Sequence, residues 1–500
     1  MTLIRRRLPE ISNKQSAERL ALLGDKVFAD AVDPILLLNH ASYIRESSAK
    51  TLAKFEKFLT GQSLFFLWFQ SLFFGLAIIC RDCWKMLTSR TPSIYGDMSQ
   101  CDVLMVSHLT NEKQLDDDDD PYFADLAQYY GQTWGGIGLL RLNQAYVSIR
   151  GRSPRQGHVL ESGRFGFFNG GRAWLRNLRV SLMLIGQSLW TSDPDEKRYL
   201  QFLACTQMDH QTMANARIFD RIASMVSKQQ PQVVIITFEG YAWERAVAEY
   251  LHRIKPKIKV LGYQHAVISG GPRVINKKFS RGIDPDHVLA AGEEMTKRLV
   301  QEGEFQSSDF TCIGSLKARS VDDANKGDAL VAIPEGILSE TIMLAECLCE
   351  IARKMPEIPC FLRIHPILNW QEAKSHIRGW DDQLPNLHLS AQTLDADIAR
   401  AKWVLYRGSS VVINALLAGR RPLFLDCDNT AETTDIVPSE ITWRKICQTT
   451  QDVIGVIESD RQTRRKDDEA SRRVAQEFAK GYYKPLDHKT FETVVRRYID

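Results

Sequence analysis

Short apolar runs alternate with amphipathic stretches along most of this chain. Residues 1–95 carry helix-forming residues at helical spacing, most clearly at 16–23 and 49–58, which predicts a helical N-terminal region. Beyond Pro92 the pattern changes to unbroken apolar runs of strand length, as expected for parallel strands buried on both faces. The runs are CDVLMVSHL (101–109), QVVIITF (232–238), IKVLGY (258–263) and HVLAAG (287–292).

A second series of such runs begins near Phe310 and continues beyond the polar linker at 321–328. It comprises TCIGS (311–315), ALVAIPEG (329–336), PCFLRIHP (359–366), LHLS (387–390), WVLYRG (403–408) and RPLFLD (421–426). Helical patterns separate most of these runs, and strands that alternate with helices predict a parallel sheet covered on both faces. We therefore expect an α/β fold with two Rossmann-like domains after the helical N-terminal region. The expected divisions are 1–95, 96–305, 306–458 and 459–500, the last being charged helices that cross back.

Composition is that of an ordinary globular protein. The chain has 500 residues, of which 44% are hydrophobic and 25% charged, with a formal net charge of +3. Neither this charge nor any basic segment indicates a nucleic-acid partner. No apolar signal segment follows the first residues. The ten cysteines show no repeating pattern beyond one CxxC at Cys80 and Cys83, which lacks the second ligand pair of a zinc site, so we expect a cytoplasmic protein with reduced thiols.

One apolar segment, SLFFLWFQSLFFGLAII at 63–79, bears on localisation. It is short for a membrane span and contains Gln70 and Gly75, so three alternatives remain: a buried core helix, a helix in the membrane interface, or a span. An interfacial helix would place the protein peripherally on the inner face of the membrane.

Two polar stretches are expected to be loops. The five aspartates at 116–120 predict a solvated loop, because like charges repel and stay exposed. Residues 150–171 are rich in Gly, Arg and Ser, and predict a long loop or an acceptor-side lid.

Chemically useful side chains follow several predicted strands, where ligands bind in open α/β sheets. Glu239 and Gly240 come directly after the run at 232–238. Apolar surroundings would raise the pKa of Glu239 and suit it to accept a proton from a hydroxyl group. The alternative is a carboxylate that complements the dipole of the next helix. Glu244, one turn further on, is either a second acid or an exposed helical residue.

The run at 359–366 ends in Arg363, Ile364, His365 and Pro366. Period-two alternation would place Arg363 and His365 on one face, where both can neutralise a phosphate and His365 can protonate a leaving group. The alternative is a histidine that only ends the strand.

The run at 403–408 leads into Arg407, Gly408, Ser409 and Ser410, at the start of a predicted helix. Free backbone N–H groups and two hydroxyls there suit a phosphate, or alternatively only cap the helix. Asn414, one turn beyond Ser410, would hold this loop or the donor. No Walker or dinucleotide-binding glycine motif is present, so neither ordinary ATP nor dinucleotide binding is indicated.

Three further residues at strand ends, His108, Gln264 and His265, are candidates for contact with an acceptor. A structural histidine is the alternative for His108 and for His265.

The order of Glu-Gly (239–240), His-Pro (365–366) and Ser-Ser (409–410) resembles the motifs of bacterial sialyltransferases of the GT-B fold and of the related Kdo transferases. The segment RIHP to RGSSVVINALLAGRRPLF also resembles CDP-glycerol glycerophosphotransferases. VSHLTN, FEGYAWE and GYQHAVIS are similar to segments of surface-carbohydrate biosynthesis proteins. The resemblance covers roughly residues 230–430.

The resemblance implies a metal-independent glycosyltransferase without a cofactor, which uses a CMP-linked acidic sugar and builds a surface glycan on a lipid-linked or glycan acceptor. Glu239 would be the general base and His365 the general acid or a phosphate contact. Arg363, Arg407, Gly408, Ser409, Ser410 and Asn414 would bind the donor. The residue before Glu239 is Phe238 where the sialyltransferase motif has an acid. UDP- or GDP-sugar transfer, glycerophosphate transfer and a non-catalytic assembly scaffold remain alternatives.

Overall fold

The computed structural model describes residues 64–89 and, with gaps, residues 94–499. The gaps are residues 96–97, 99, 111, 116–119, 131–135, 145–156, 162, 165–166, 269–273, 277, 280–281, 302, 319–326, 367, 427–434 and 463–465. The helices predicted at 16–23 and 49–58 lie outside the described residues.

Eight strands form the sheet of the N-terminal unit, in the order β1-β4-β3-β2-β5-β6-β7-β8. They are β1 (Ile94–Tyr95), β2 (Val103–Leu109), β3 (Ile137–Asn143), β4 (His158–Glu161), β5 (Val233–Thr237), β6 (Lys259–Gln264), β7 (His287–Ala290) and β8 (Phe310–Cys312). Neighbouring strands are parallel except for β1 and β4. Every residue of β2 and β5 is buried, because helices cover the sheet and leave no face for solvent.

Seven described helices accompany this sheet. They are α1 (Leu64–Ser89), α2 (Leu126–Tyr130), α3 (Phe167–Trp190), α4 (Pro194–Thr206), α5 (His210–Gln229), α6 (Ala242–Ile254) and α7 (Glu293–Gln301). Helix α1 lies against α3, α4 and α5. Its Ile78 and Ile79 pack with Met208, and its Trp68 indole donates a 2.8 Å hydrogen bond to Ser181.

Six parallel strands form the sheet of the C-terminal unit, in the order β11-β10-β9-β12-β13-β14. The strands are β9 (Ala329–Pro334), β10 (Cys360–Leu362), β11 (Leu387–Leu389), β12 (Ala401–Arg407), β13 (Arg421–Leu425) and β14 (Lys445–Cys447). The helices are α8 (Leu338–Lys354), α9 (Trp370–His376), α10 (Leu394–Arg400), α11 (Val411–Leu417), α12 (Thr450–Gln462), α13 (Lys466–Tyr482) and α14 (His488–Arg496). The prediction of two α/β units after a helical segment is confirmed.

Two boundaries differ from the prediction. The segment TCIGS was assigned to the second unit, from residue 306 onward, but β8 pairs with β7 through Phe310 and Val288 and so completes the first sheet. A short apolar run carries no mark of which sheet it will join. The helix α3 begins at Phe167, inside the stretch 150–171 that was predicted to be a loop.

The chain returns to the N-terminal unit after α13. Helix α13 lies between α11 of one unit and α7 of the other. Beyond it, the Lys484 amide donates to the Ala291 carbonyl at 3.0 Å, and the Asp487 amide donates to the Ile313 carbonyl at 2.7 Å. This segment therefore ties the two units together beside the ends of β7 and β8.

Candidate active site

The segment after β6 and the connection between β13 and β14 meet at Arg298 of α7. One guanidinium nitrogen donates to the carbonyl of Ile268, which follows β6, and another to the carbonyl of Ile436, which follows β13. Both hydrogen bonds are 2.9 Å long, and Ile268 and Ile436 belong to one hydrophobic core with residues of α11. Since Ile268 follows a strand end and α7 follows β7, the C-terminal unit contacts the carboxyl side of the N-terminal sheet, where α/β proteins bind ligands.

Glu239 lies two residues beyond β5 on this side of the N-terminal sheet. Its Oε1 atom is 2.7 Å from Nε2 of His265, which follows β6, the neighbouring strand. The Glu239 side chain is 22% exposed and that of His265 is 8% exposed. The sheet thus brings together two of the predicted residues, and Glu239 is the one that an incoming ligand can reach.

Gly240 makes the turn at Glu239 possible. Its φ of +88° is costly for any side chain with a Cβ atom, and a Cβ there would lie 2.8 Å from the backbone nitrogen of Ile275. Glycine at this position lets the segment around Ile275 pack directly against the turn.

The pKa of Glu239 is lowered, so the prediction that it is raised was wrong. Burial is the largest single effect and raises this pKa, but the charge and hydrogen bond of His265 together with the charges of Lys317 and His108 lower it by more. The carboxylate is therefore ionised at neutral pH and can accept a proton.

Glu244 holds the Glu239 turn from behind. It is fully buried, so the alternative of an exposed helical residue was wrong. Its carboxylate accepts hydrogen bonds from the backbone N–H groups of Glu239, Gly240 and Tyr241, at 2.8 to 3.2 Å. Burial and then the charge of Glu239 raise its pKa well above the usual range. Its role is to fix the backbone that aims Glu239.

His108 is linked to Glu244 through Thr237, deeper in the N-terminal unit. Its Nε2 is 2.9 Å from Thr237 Oγ1 and its Nδ1 is 2.9 Å from the Gln144 amide nitrogen. The Thr237 hydroxyl in turn donates to Glu244 at 3.3 Å. Since the Gln144 amide donates to Nδ1, the neutral imidazole carries its proton on Nε2. His108 is buried and occupied on both sides, which favours the structural alternative over contact with an acceptor.

Gln264 is also fully buried. Its amide nitrogen donates to the carbonyl of Ala266, and its Oε1 atom has no hydrogen-bond partner among the described residues. It shapes the turn that carries His265, and the structure does not present it to an acceptor.

Lys317 and Tyr122 complete the surroundings of Glu239 and were not predicted. Lys317 Nζ is 3.4 Å from the His265 carbonyl, and burial of the ammonium group lowers its pKa while Glu239 opposes the change. The Tyr122 ring contacts His265 edge-on at 4.7 Å, and burial followed by the charge of Glu239 raises its pKa above the usual range. Lys317 follows β8, so a correct assignment of that strand would have pointed to it.

Arg363 and His365 lie beyond β10, which ends at Leu362. Because neither residue belongs to the strand, period-two alternation does not place the two on one face. Arg363 makes a 2.8 Å ion pair with the buried carboxylate of Asp397, which fixes its guanidinium inside the C-terminal unit. His365 is exposed to solvent by its accessible area, but neighbouring atoms still partly desolvate its ring, and this lowers its pKa.

Arg407 is buried in the C-terminal unit. Its guanidinium donates to the Leu425 carbonyl at 2.9 Å and lies 3.6 Å from a carboxylate oxygen of Glu340. Because only 1% of the side chain is exposed, the predicted contact between Arg407 and a donor is not available in this structure.

The predicted donor loop follows Arg407. Gly408 has a φ of +68°, Ser409 is buried, and Ser410 is exposed and precedes α11. Ser410 makes no capping hydrogen bond through its side chain, so the capping alternative does not hold for it. Asn414 is half-buried in α11. Donor binding by these four residues stays a prediction.

The acidic run at 116–120 is described only at its end. Asp120 is buried and forms a 3.1 Å ion pair with Arg141, so the prediction of a solvated loop was wrong for this residue. It also accepts hydrogen bonds from the Ser107 hydroxyl at 2.7 Å and the Tyr122 amide at 2.9 Å. This cluster anchors the segment that carries Tyr122 to the site.

No protein-family model matches the sequence. A comparison with curated proteins also finds no match. Among solved structures, a calicheamicin glycosyltransferase is similar over 80% of this chain and 99% of its own, with 9% identity and a TM-score of 0.47. The glycosyltransferase of kitacinnamycin matches 81% of this chain and 100% of its own, with 8% identity and a TM-score of 0.45. UDP-GlcNAc 2-epimerase from Neisseria meningitidis, bound to UDP-GlcNAc, matches 79% and 98%, with 12% identity and a TM-score of 0.43.

Proposed function

We propose that this chain is a glycosyltransferase that moves a sugar from a nucleotide-activated donor to an acceptor hydroxyl group. The observation that carries the proposal is the Glu239–His265 pair. An ionised, partly accessible carboxylate is held by a neighbouring imidazole at the carboxyl edge of the sheet, on the side where the two units meet. A carboxylate that is ionised and positioned in this way is able to accept a proton from a hydroxyl group at neutral pH.

In the proposed reaction, Glu239 accepts the proton of the acceptor hydroxyl as its oxygen attacks the anomeric carbon of the donor. The bond from that carbon to the donor phosphate oxygen breaks, and the electron pair leaves with the phosphate. His265 and the backbone bonds to Glu244 keep the carboxylate in place. His365 and the Ser409–Ser410 loop of the C-terminal unit would receive the phosphate, as the donor motifs imply.

For the donor we propose a CMP-linked acidic sugar, such as Kdo or a nonulosonic acid. The support is the order of Glu-Gly, His-Pro and Ser-Ser in the sequence. A single phosphate needs fewer cationic contacts than a diphosphate, and in this structure Arg363 and Arg407 are held by Asp397 and Glu340. UDP- or GDP-sugar transfer, glycerophosphate transfer and a scaffold role are the alternatives that the test below separates.

The test is a thermal-shift panel of CMP, CDP, UDP, GDP and ADP with the wild type, His365→Ala and the control His376→Ala. His376 is an exposed histidine of the same unit at the end of α9. We expect CMP or CDP to stabilise the wild type and the control but not His365→Ala. Stabilisation by UDP or GDP instead would change the donor class, and no shift with any nucleotide would contradict the proposal.

We further propose that the acceptor is lipid-linked or belongs to a growing glycan, and that the protein lies peripherally on the inner, cytoplasmic face of the membrane. One described helix segment, Phe66–Lys85, is long and apolar enough to cross a membrane, and 17% of it is buried. Its outer face exposes Phe73 by 64% and Trp84 by 69%, while the opposite face packs on α3, α4 and α5. One apolar face and one docked face favour a helix that lies in the interface over a span.

Flotation with lipid vesicles tests this placement. We expect the wild type to float with vesicles and the double variant Phe73→Ser, Phe74→Ser to float less, because both exposed rings are lost. The control is Val474→Ser, an exposed apolar residue of α13. Equal flotation of the double variant, or none by the wild type, would contradict membrane contact and leave the catalytic proposal untouched.

A further inference from the structure

A second candidate site lies on the helical side of the N-terminal sheet. A cavity of ≈ 520 Å³ is bordered by α3, α5 and α6. Its walls carry four arginine side chains: Arg172 and Arg176 from α3, and Arg217 and Arg221 from α5. None of the lining residues takes part in the Glu239 site.

The cationic charge of the cavity exceeds the carboxylate charge that faces it. Asp220 pairs with Arg176, with 3.2 Å between Nη2 and Oδ2. The fully buried Glu161 serves both Arg217 and Arg221, the latter at 3.6 Å. Among the described residues, the walls carry four guanidinium groups and the carboxylate of Asp220, with the Glu161 carboxylate behind Arg217 and Arg221. Arg172 is an exposed side chain of α3.

Two of these guanidinium groups are buried while they share one carboxylate. The side chains of Arg217 and Arg221 are 5% and 6% exposed. Burial lowers the pKa of Arg221, and the neighbouring charge of Arg217 lowers it too, against the opposing effect of Glu161. Two buried like charges beside the same carboxylate repel each other, and an anion in the cavity would relieve this repulsion.

The remaining walls supply groups that a phosphorylated ligand can use. Ser224 and Ser227 line the cavity from neighbouring turns of α5. Phe219 and Tyr250 form an aromatic wall, with their rings edge to face at 5.4 Å, and the Arg176 guanidinium lies 5.4 Å from the Phe219 ring centre. Arginine forks with adjacent hydroxyl donors match the oxygens of a phosphate group.

We propose that this arginine cavity binds a phosphate-bearing anion at a site separate from that of the sugar donor. The volume exceeds that of a phosphate ion and falls within the range of about 300–1,000 Å³ of small-molecule sites. The proposal stands whether or not Glu239 is a catalytic base.

The ligand can be a free phosphorylated compound or the headgroup of a lipid. Helix α3 presents Leu175, Leu182 and Met183 to solvent beside the cavity, which would suit an acyl chain next to a bound headgroup. Both sources share the same phosphate chemistry, and the experiment separates them.

Isothermal titration calorimetry with pyrophosphate tests the site on the full chain. We expect wild-type binding that weakens about tenfold in Arg172→Ala, through loss of one charge-assisted contact. Ser224→Asp should abolish binding, because it places a carboxylate among the guanidinium groups. Since that carboxylate also relieves their repulsion, the variant should be at least as stable as the wild type. The control Arg179→Ala removes an exposed arginine of α3 that does not line this cavity.

Vesicles of phosphatidylcholine with or without phosphatidic acid identify the source of the ligand. If phosphatidic acid strengthens vesicle binding by the wild type but not by folded Ser224→Asp, the site takes a lipid headgroup. If pyrophosphate binds and phosphatidic acid has no such effect, the ligand is a free phosphorylated compound. If pyrophosphate does not bind, or binds folded Ser224→Asp as tightly as the wild type, the proposal is overturned.

Discussion

The titration of His108 tests whether this residue is buried and hydrogen-bonded beneath the Glu239 turn, as the structure shows. Its imidazole is buried between Thr237 and Gln144, and burial is the largest cause that lowers its pKa to about 4. Glu239 raises this pKa and His265 lowers it, both by smaller amounts. The folded protein therefore keeps His108 neutral at a pH where the unfolded chain has already bound a proton.

The difference between the folded and unfolded pKa of His108 determines how the stability of the protein changes with pH, and by how much. The folded pKa is about 4 and the unfolded one about 6.5, a gap of about 2.5 units or about 3.4 kcal/mol at most. Because the unfolded state binds the proton first, stability falls as the pH drops from about 6.5 to about 4. Between pH 7 and pH 4.5 the loss that comes from His108 alone should be about 2.4 kcal/mol.

The assay is hydrogen exchange of the β2 and β5 amides at these two pH values, in the wild type and in His108→Gln. The glutamine variant keeps a polar side chain but does not titrate, so its pH-dependent loss should be smaller by about 2.4 kcal/mol. If the amide protection of His108→Gln falls between pH 7 and pH 4.5 by as much as that of the wild type, this pH dependence does not come from His108.

His252→Gln is the matched control with the opposite sign. The hydrogen bond that the His252 imidazole donates to Asp286 raises the pKa of His252 and outweighs the effect of burial. Its stabilising contribution is therefore complete below the unfolded pKa and is lost as the pH rises through the higher folded value. The His252→Gln substitution should therefore reduce the free energy of unfolding more at acidic pH than at neutral pH.

Three other substitutions test how the site is held together. Glu244→Gln should reduce stability by about 1–3 kcal/mol and lower activity, because an NH₂ group then faces backbone donors; urea denaturation and a transfer assay measure the two effects. Asp120→Ala should reduce stability by about 3–5 kcal/mol in urea denaturation, because it leaves Arg141 buried without its carboxylate. Gly240→Ala should reduce stability and activity together, since its Cβ would lie 2.8 Å from the Ile275 backbone nitrogen; the same two assays apply.

Each of the three has an outcome that contradicts it. Wild-type stability in Asp120→Ala would mean that Arg141 is not buried with Asp120. Full activity in Glu244→Gln or Gly240→Ala would mean that the geometry of the turn does not position the reactive carboxylate.

The strands were the part of the fold most readily predicted from the sequence. The runs that became β2, β5 and β6 are buried on both faces, and such strands are marked by almost continuous apolar sequence. The strand β8 has only three residues, and a run this short does not specify the partner it will pair with. That is why the boundary at 306 was wrong.

The candidate site was predicted only in part, for physical reasons that differ between residues. Glu239 and His265 come together because they follow adjacent parallel strands, and the sequence predicted that each lies at a strand end. The roles of Glu244 and Arg363 depend on how a turn and a neighbouring helix fold over them, which periodicity does not reveal. The lowered pKa of Glu239 needs the position of Lys317 as well as that of His265.

The most direct test of the account is nucleotide release from activated sugars by the wild type and Glu239→Gln. Each protein is incubated with CMP-, UDP- and GDP-linked sugars and candidate acceptors, and free nucleotide is measured by mass spectrometry. We predict that the wild type turns over one donor class, and that Glu239→Gln is slower by about 10²–10⁴-fold while its affinity for the nucleotide is unchanged. Equal rates in the two proteins would contradict the assignment of Glu239 as the catalytic base.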